Sequence, residues 1–217
     1  MPRLPKYDNR TAIVGSSGSG KTQFAVWLLS SRDFDVRPWY IFDFKGDELI
    51  AMIGAREISV YSEPPTKPGL YVIRPIPEKD DDAVEQFIWK IWANENAGIY
   101  IDEGYMIGPR NPAYNACLTQ GRSKHIEMIT LSQRPLWLSR FVFSEANFFA
   151  VFNLTDEKDR KEVGRFLNGR SSLLLPRFNC LWYDVDKQET CQFAPVPHRN
   201  IIIKTFQDRL RKRAKTI

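Results

Sequence analysis

Eight consecutive residues near the beginning of the chain match the phosphate-binding pattern G-x-x-x-x-G-K-[ST]. They are Gly15, Ser16, Ser17, Gly18, Ser19, Gly20, Lys21 and Thr22. A β-branched run at 11–14 precedes them and an apolar segment at 24–29 follows them, which predicts a strand, a loop and a helix in that order. A flexible Gly/Ser turn is the alternative interpretation. The strand and helix patterns on either side favour a site that binds the phosphates of a nucleoside triphosphate.

The chemistry expected of this loop follows from its residue types. Glycines allow successive backbone N–H groups to turn toward a phosphate, and the N-terminus of the following helix adds partial positive charge. Lys21 is predicted to reach the β- and γ-phosphates, and the Thr22 hydroxyl is predicted to ligate Mg²⁺.

Apolar runs and helical patterns alternate along the rest of the chain. Strands are predicted at 39–44, 70–73, 98–103, 127–132 and 148–152, and helices after Asp80, over 112–120 and from Asp156 to about residue 167. Near-continuous hydrophobicity within the strands is typical of a parallel sheet that is covered on both faces. The last two runs, 180–185 and 192–196, predict a small C-terminal β-pair. The predicted fold class is α/β, with a mainly parallel central sheet and helices on both faces.

Composition narrows the class of protein. The three cysteines, Cys117, Cys180 and Cys191, are widely spaced, so they indicate neither a disulfide framework nor a zinc site and suit a reducing cytoplasm. No apolar core follows the first six residues, so we expect no signal peptide. Charged residues interrupt the apolar stretch 135–155, so we expect no integral membrane segment and interpret this stretch as a loop and a buried strand.

Positive charge is concentrated at the C-terminal end. Residues 198–217 carry seven lysines and arginines and one aspartate, whereas the whole chain has a formal net charge of +5. Such a segment is typical of contact with nucleic acid or another polyanion, although it can also act only to keep a protein soluble. We therefore expect a domain at 1–197 followed by a basic tail at 198–217.

Two adjacent carboxylates, Asp102 and Glu103, end the strand predicted at 98–103. Asp102 is placed to hold a Mg²⁺ that bridges the phosphates, through a water molecule. Glu103 would orient and deprotonate a water that attacks the γ-phosphate. One carboxylate on metal and one on water favour hydrolysis, because a small-molecule kinase would rather exclude water. The alternative is that the pair is the solvated start of a loop.

Gln133 closes the strand that follows these carboxylates. Its neutral amide would contact the γ-phosphate or the attacking water, and would therefore sense whether the phosphate is present. A polar cap at the end of the strand is the alternative interpretation.

Four segments in order resemble the motifs of the FtsK–HerA superfamily of DNA-pumping ATPases. They are 15–22, 42–47, 99–104 and 121–135, the last of which contains Ser132, Gln133, Arg134 and Pro135 in sequence. The small size most resembles the genome-packaging ATPases of tailless, membrane-containing icosahedral viruses, as in tectiviruses. The match spans roughly residues 10–155. Its phosphate loop is generic, whereas Ser-Gln-Arg-Pro after an Asp-Glu strand is more specific.

This resemblance implies a RecA-like core that assembles into a homo-oligomeric ring, typically a hexamer. The ring would hydrolyse ATP with Mg²⁺ at subunit interfaces and move double-stranded DNA of any sequence through its centre. Arg122 matches the family's arginine that completes the site of the neighbouring subunit, although Lys124, Arg134 and Arg140 lie close to it in sequence. Lys45 belongs to a matching turn without an assigned chemical role, and it is also a candidate for DNA contact.

The resemblance also implies capsid vertex or portal proteins as partners. The corresponding location is the host cytoplasm, the packaging vertex of the capsid, or the virion itself. Three other functions stay open at this point: a cellular or plasmid-borne HerA-like DNA translocase, a small-molecule or nucleoside kinase, and a non-catalytic nucleotide-binding assembly factor.

Overall fold

The computed structural model describes residues 2–167 and 174–214. Its strands are β1 (Arg10–Val14), β2 (Pro38–Asp43), β3 (Arg56–Glu57), β4 (Gly69–Ile73), β5 (Ala97–Asp102), β6 (Ile126–Ser132), β7 (Phe148–Val151), β8 (Cys180–Asp184) and β9 (Glu189–Phe193). Its α-helices are α1 (Lys21–Ser30), α2 (Glu48–Met52), α3 (Asp81–Asn94), α4 (Pro112–Gln120), α5 (Phe141–Ser144), α6 (Glu157–Gly164) and α7 (Arg199–Ala214). Short 3₁₀ turns lie at Gly104–Ile107, Gly121–Lys124 and Pro135–Trp137.

These strands form one sheet in the order β3-β4-β2-β5-β6-β1-β7-β8-β9. The pairings from β3 through β7 are all parallel, and the two pairings that involve β8 are antiparallel. Every residue of the central strands β1, β2, β5 and β6 is buried, as expected for parallel strands that are covered on both faces. The predicted α/β class and the C-terminal β-pair are confirmed.

Helices cover both faces of this sheet, because successive side chains of a strand point to opposite sides. Along β1, Ala12 and Val14 join one hydrophobic cluster, which also contains the buried residues of α3 and most of those of α4. Ile13 joins the other cluster, together with buried residues of α1, α2 and α7. The predicted layers are therefore present.

The C-terminal segment, predicted as a basic tail, forms a helix that packs on the domain. Helix α7 buries Ile202 and Phe206 completely, and the Phe206 ring stacks on Phe34 at a centroid distance of 5.6 Å. The Arg209 guanidinium donates to the backbone carbonyl of Ser30 at 2.7 Å, so part of the basic charge serves to dock the helix. Residues 202, 206 and 210 lie one helical turn apart, which is why they share one apolar face. The boundary after residue 197 stays a prediction, and residues 215–217 of the expected tail lie outside the described residues.

The apolar stretch at 135–155 contains one 3₁₀ turn, helix α5 and strand β7. A short helix is therefore present in addition to the expected loop and buried strand. Within residues 2–167 and 174–214, the helices are all too short or too polar to cross a membrane.

Candidate nucleotide-binding site

The predicted phosphate loop connects β1 to α1 at the carboxyl edge of the parallel sheet. Its first residues are tied to the ends of both neighbouring strands: the Gly15 amide donates to the Ser132 carbonyl at 3.3 Å, and the Ser16 amide donates to the Asn153 carbonyl at 3.0 Å. Helix α1 begins at Lys21, as the motif predicts. The loop is therefore positioned by β6 and β7 as well as by the strand that precedes it.

Two glycines of the loop are required by its geometry. A Cβ atom at Gly15 would lie 2.5 Å from the Phe152 Cβ, which no real contact tolerates. Gly20 has a φ of 97°, in the left-handed region where glycine carries no steric penalty. The chain can therefore curl tightly around an anion immediately before the N-terminus of α1.

The loop forms one wall of a cavity of about 390 Å³. Its lining includes Ser17, Gly18, Lys21, Thr22, Asp102 and Glu103. The phosphate-binding residues and the carboxylates at the end of β5 are about 80 positions apart in sequence but meet here. They meet because β5 and β1 both flank β6 and all three strands run parallel.

Asp102 is the last residue of β5, and it is buried. Its Oδ1 atom has no hydrogen-bond partner among the described residues. Burial, followed by the charge of the adjacent Glu103, raises the pKa of the Asp102 carboxyl to about 7. A buried carboxylate oxygen without a protein partner, in the same cavity as the Thr22 hydroxyl, fits a hard divalent cation such as Mg²⁺.

Glu103 is 1% exposed and has a φ of 54°, which is uncommon for a residue other than glycine. Strain of this kind, of order 1–3 kcal/mol, concentrates at functional sites. The Glu103 Oε1 atom lies 2.5 Å from the Lys45 Nζ and 3.6 Å from the Lys21 Nζ. The other oxygen, Oε2, accepts a hydrogen bond from the Gln133 backbone amide at 3.0 Å. Groups from three loops therefore converge on this carboxylate.

Gln133 is close to the site, as predicted, but its main chain rather than its side chain contacts Glu103. The Gln133 side-chain Nε2 atom lies 3.4 Å from the Tyr105 hydroxyl. Tyr105 in turn packs edge-on against Trp137, a half-exposed residue that follows the β6 strand. The predicted sensing role of Gln133 stays a prediction.

Arg122 is not brought into this cavity. It is exposed on the turn Gly121–Lys124, just before β6 begins, and so lies at the amino edge of the sheet. Its charge helps to lower the pKa of Arg10, the first residue of β1, after the larger effects of burial. The site lies at the carboxyl edge of the same strands. Arg122 therefore faces away from the site of its own chain.

A curated protein is similar to this chain along nearly its whole length, although no protein-family model matches the chain. The chain is 42% identical over 226 residues to the DNA packaging ATPase P9 of Enterobacteria phage PRD1, and 99% of each chain is covered. The chain belongs to this family of viral DNA-packaging ATPases. The predicted resemblance to genome-packaging ATPases is confirmed.

Solved structures agree with this membership at the level of the fold. B204, the DNA-packaging ATPase from Sulfolobus turreted icosahedral virus, aligns with a TM-score of 0.69 and 20% identity over 88% of this chain and 98% of that one. The genome packaging NTPase B204 from Sulfolobus turreted icosahedral virus 2, in complex with AMP, aligns with a TM-score of 0.66 and 18% identity over the same shares. EssC (ATPases 2 and 3) from Geobacillus thermodenitrificans aligns with a TM-score of 0.66 and 16% identity over 97% of this chain but only 45% of that one.

A feature of this packaging ATPase that sequence reasoning missed is a second, more apolar cavity of about 410 Å³. It shares Gly20, Gln23 and Phe178 with the phosphate cavity and extends to Pro195, Val196 and His198. The Gln23 side chain donates to the Pro197 carbonyl at 2.8 Å and so joins α1 to the segment after β9. No local pattern marks this cavity in the sequence, since its walls come from three distant segments.

Proposed function

We propose that this chain is an ATP-hydrolysing motor that moves double-stranded DNA into a viral capsid. The observation that carries the proposal is the meeting of the phosphate loop with Asp102 and Glu103 in one cavity. The 42% identity to a DNA packaging ATPase over nearly the whole chain supports packaging as the use of that site.

The geometry supports the following roles. The loop amides and Lys21 would bind the β- and γ-phosphates. Thr22, and Asp102 through a water molecule, would hold Mg²⁺, which would neutralise phosphate charge. Glu103 takes a proton from a water whose oxygen bonds to the γ-phosphorus, while the bond from that phosphorus to the ADP oxygen breaks. The products are ADP and phosphate. The nucleobase would occupy the apolar cavity beside Phe178, which adjoins the phosphate cavity.

We propose further that the site is completed only in a homo-oligomeric ring, typically a hexamer. Arg122 lies at the amino edge of the sheet, opposite the site of its own chain, and it is exposed. That position suits an arginine that enters the site of a neighbouring subunit. Arginines acting in this way accelerate related reactions roughly 10³- to 10⁵-fold. The ring would act in the host cytoplasm or at the packaging vertex, in contact with capsid vertex proteins.

The test is the ATPase rate as a function of protein concentration, with and without long duplex DNA. We expect the specific activity to rise steeply with concentration and to increase again with DNA. Lys21→Ala should abolish nucleotide binding and turnover, whereas Glu103→Gln should keep binding and lose turnover. Glu189→Gln, an exposed carboxylate on β9, is the matched control and should behave as the wild type.

Two outcomes would contradict the proposal. Hydrolysis by Glu103→Gln at the wild-type rate would show that Glu103 is not the general base. Phosphate transfer to a nucleoside in place of water, or nucleotide binding without DNA-stimulated turnover, would favour the kinase or the assembly factor instead.

A further inference from the structure

Lys45 lines the phosphate cavity but has no role in the reaction as derived so far. It lies on the turn between β2 and α2, and its ammonium makes the shortest polar contact of the Glu103 carboxylate, at 2.5 Å. The two residues are 58 positions apart in sequence. Because this lysine contacts the proposed catalytic base, its position affects whether Glu103 can accept a hydrogen bond from the attacking water.

The backbone that carries Lys45 is fixed from several sides. The buried Asp43 carboxylate accepts a hydrogen bond from the Asp47 amide at 3.0 Å and pairs with the Arg74 guanidinium at 3.2 Å. Asp43 also lies directly opposite Asp102 in the register of β2 with β5. The turn is therefore anchored beside Glu103, while the Lys45 side chain itself is 40% exposed.

Both oxygens of Glu103 are engaged by groups of the protein. Oε1 lies between the ammonium groups of Lys45 and Lys21, and Oε2 accepts from the Gln133 amide. A general base needs an oxygen that is directed at water and able to take its proton. An ammonium that donates to Oε1 occupies the position from which that oxygen would accept a hydrogen bond from water. Oε1 therefore becomes accessible to an attacking water when the Lys45 ammonium moves away from it.

We infer that Lys45 changes its anionic partner from Glu103 to the γ-phosphate when a triphosphate binds. Without a triphosphate its ammonium holds Oε1; with a triphosphate it transfers to a γ-phosphate oxygen and releases Oε1 toward the attacking water. The exchange replaces one anionic partner by another within the same cavity, whereas a diphosphate offers no γ-oxygen. Lys45 is thus a ligand of the substrate as well as a restraint on the base. This inference rests on the proposed hydrolysis of ATP at this site.

The first test compares Kd values for the triphosphate analogue AMPPNP and for ADP, with Mg²⁺, in the full-length chain at a concentration that supports maximal ATPase activity. Lys45→Met should weaken AMPPNP binding and change ADP binding less than about twofold. The loss of AMPPNP affinity should reach about tenfold or more in the Glu103→Gln background, where Lys45 gives up no ion pair when it binds the phosphate. The kcat of the single variant Lys45→Met should also fall. Lys45→Arg, which keeps the charge, should restore much of the preference for AMPPNP. Lys79→Met, at an exposed lysine, is the control and should match the wild type.

A double-mutant cycle with Glu103→Gln separates contact with phosphate from action through Glu103. If Lys45 binds the γ-phosphate, Lys45→Met weakens AMPPNP binding in the Glu103→Gln background as well. Equal weakening of AMPPNP and ADP would overturn the inference, because it would mean that the turn is merely distorted. A higher kcat with an AMPPNP preference that is unchanged in both backgrounds would also overturn it, since Lys45 would then only restrain the base.

Failure of this inference is distinguishable from failure of the proposed function. If the wild type neither prefers AMPPNP nor hydrolyses ATP, the proposed function is wrong. If the wild type hydrolyses ATP, Glu103→Gln does not, and Lys45→Met leaves the preference for AMPPNP unchanged in both the wild-type and the Glu103→Gln backgrounds, only the role of Lys45 is wrong.

Discussion

Two neighbouring isoleucines on α7 allow the contribution of this helix to the free energy of unfolding to be measured. Ile202 is 1% exposed and packs in the cluster of α1 and α2, whereas Ile201 is 58% exposed. Changing each to alanine removes the same atoms from the same helix. The difference in the free energy of unfolding therefore reports burial alone.

The expected magnitudes follow from that contrast. A buried Ile→Ala change costs about 2–5 kcal/mol, through lost burial and the cavity that remains. An exposed substitution normally stays within about 0.5 kcal/mol. For a chain of this size each kcal/mol lowers Tm by roughly 2–4 °C, so Ile202→Ala should lower Tm by about 6–12 °C if it costs about 3 kcal/mol. Ile201→Ala should lower it by about 2 °C at most.

The assay is thermal and urea-induced unfolding without nucleotide, because ATP stabilises the folded state by mass action. A chain that ends at residue 197 is the third variant. It loses both Ile202 and Phe206 from the core and should unfold far below the wild type. Equal Tm values for the two isoleucine variants, or an unchanged Tm after truncation, would refute the reasoning. Either result would mean that residues 198–217 do not stabilise the domain.

Three further predictions concern the site. Arg122→Ala should lower kcat roughly 10³- to 10⁵-fold with little effect on ATP affinity. Mixing it with Glu103→Gln subunits should restore part of the activity, because some interfaces then combine an intact Glu103 with an intact Arg122. No recovery on mixing would argue against action across an interface. Phe178→Ala should weaken binding of ATP and AMP alike by about tenfold, the scale of base–aromatic stacking, whereas Leu174→Ala, at a fully exposed leucine, should not. Because the pKa of the Asp102 carboxyl is raised to about 7, protons compete with the metal at low pH. The Mg²⁺ concentration for half-maximal ATPase activity should therefore rise about tenfold from pH 8 to pH 6. If this concentration did not change with pH, Asp102 would be excluded as the titrating ligand group.

Local signals in the sequence were sufficient for much of the framework. Helix α4 spans Pro112–Gln120 as predicted, since Asn111 caps it and proline opens it. The Asp156 carboxylate accepts from the amides of Lys158 and Asp159, as its predicted capping role requires. Each of these features is decided within about four residues of chain, so a single sequence contains the information.

The phosphate loop and the carboxylates at the end of β5 were likewise predictable, because each lies where a buried strand meets polar residues. Helix α7 carried a readable signal as well, the apolar spacing of Ile202, Phe206 and Leu210. The same segment is rich in basic residues, which are typical of a solvated tail.

Tertiary structure alone decided which of these features meet. The contact between Lys45 and Glu103 depends on β2 lying beside β5, and the position of Arg122 depends on β6 running parallel to β1. The apolar cavity at Phe178 requires three segments that are far apart in the chain. Strand order and register are set by the packing of the whole core, whose contacts join residues at long sequence separation. A local pattern fixes what each residue can do chemically, and only the assembled sheet determines which residues do it together.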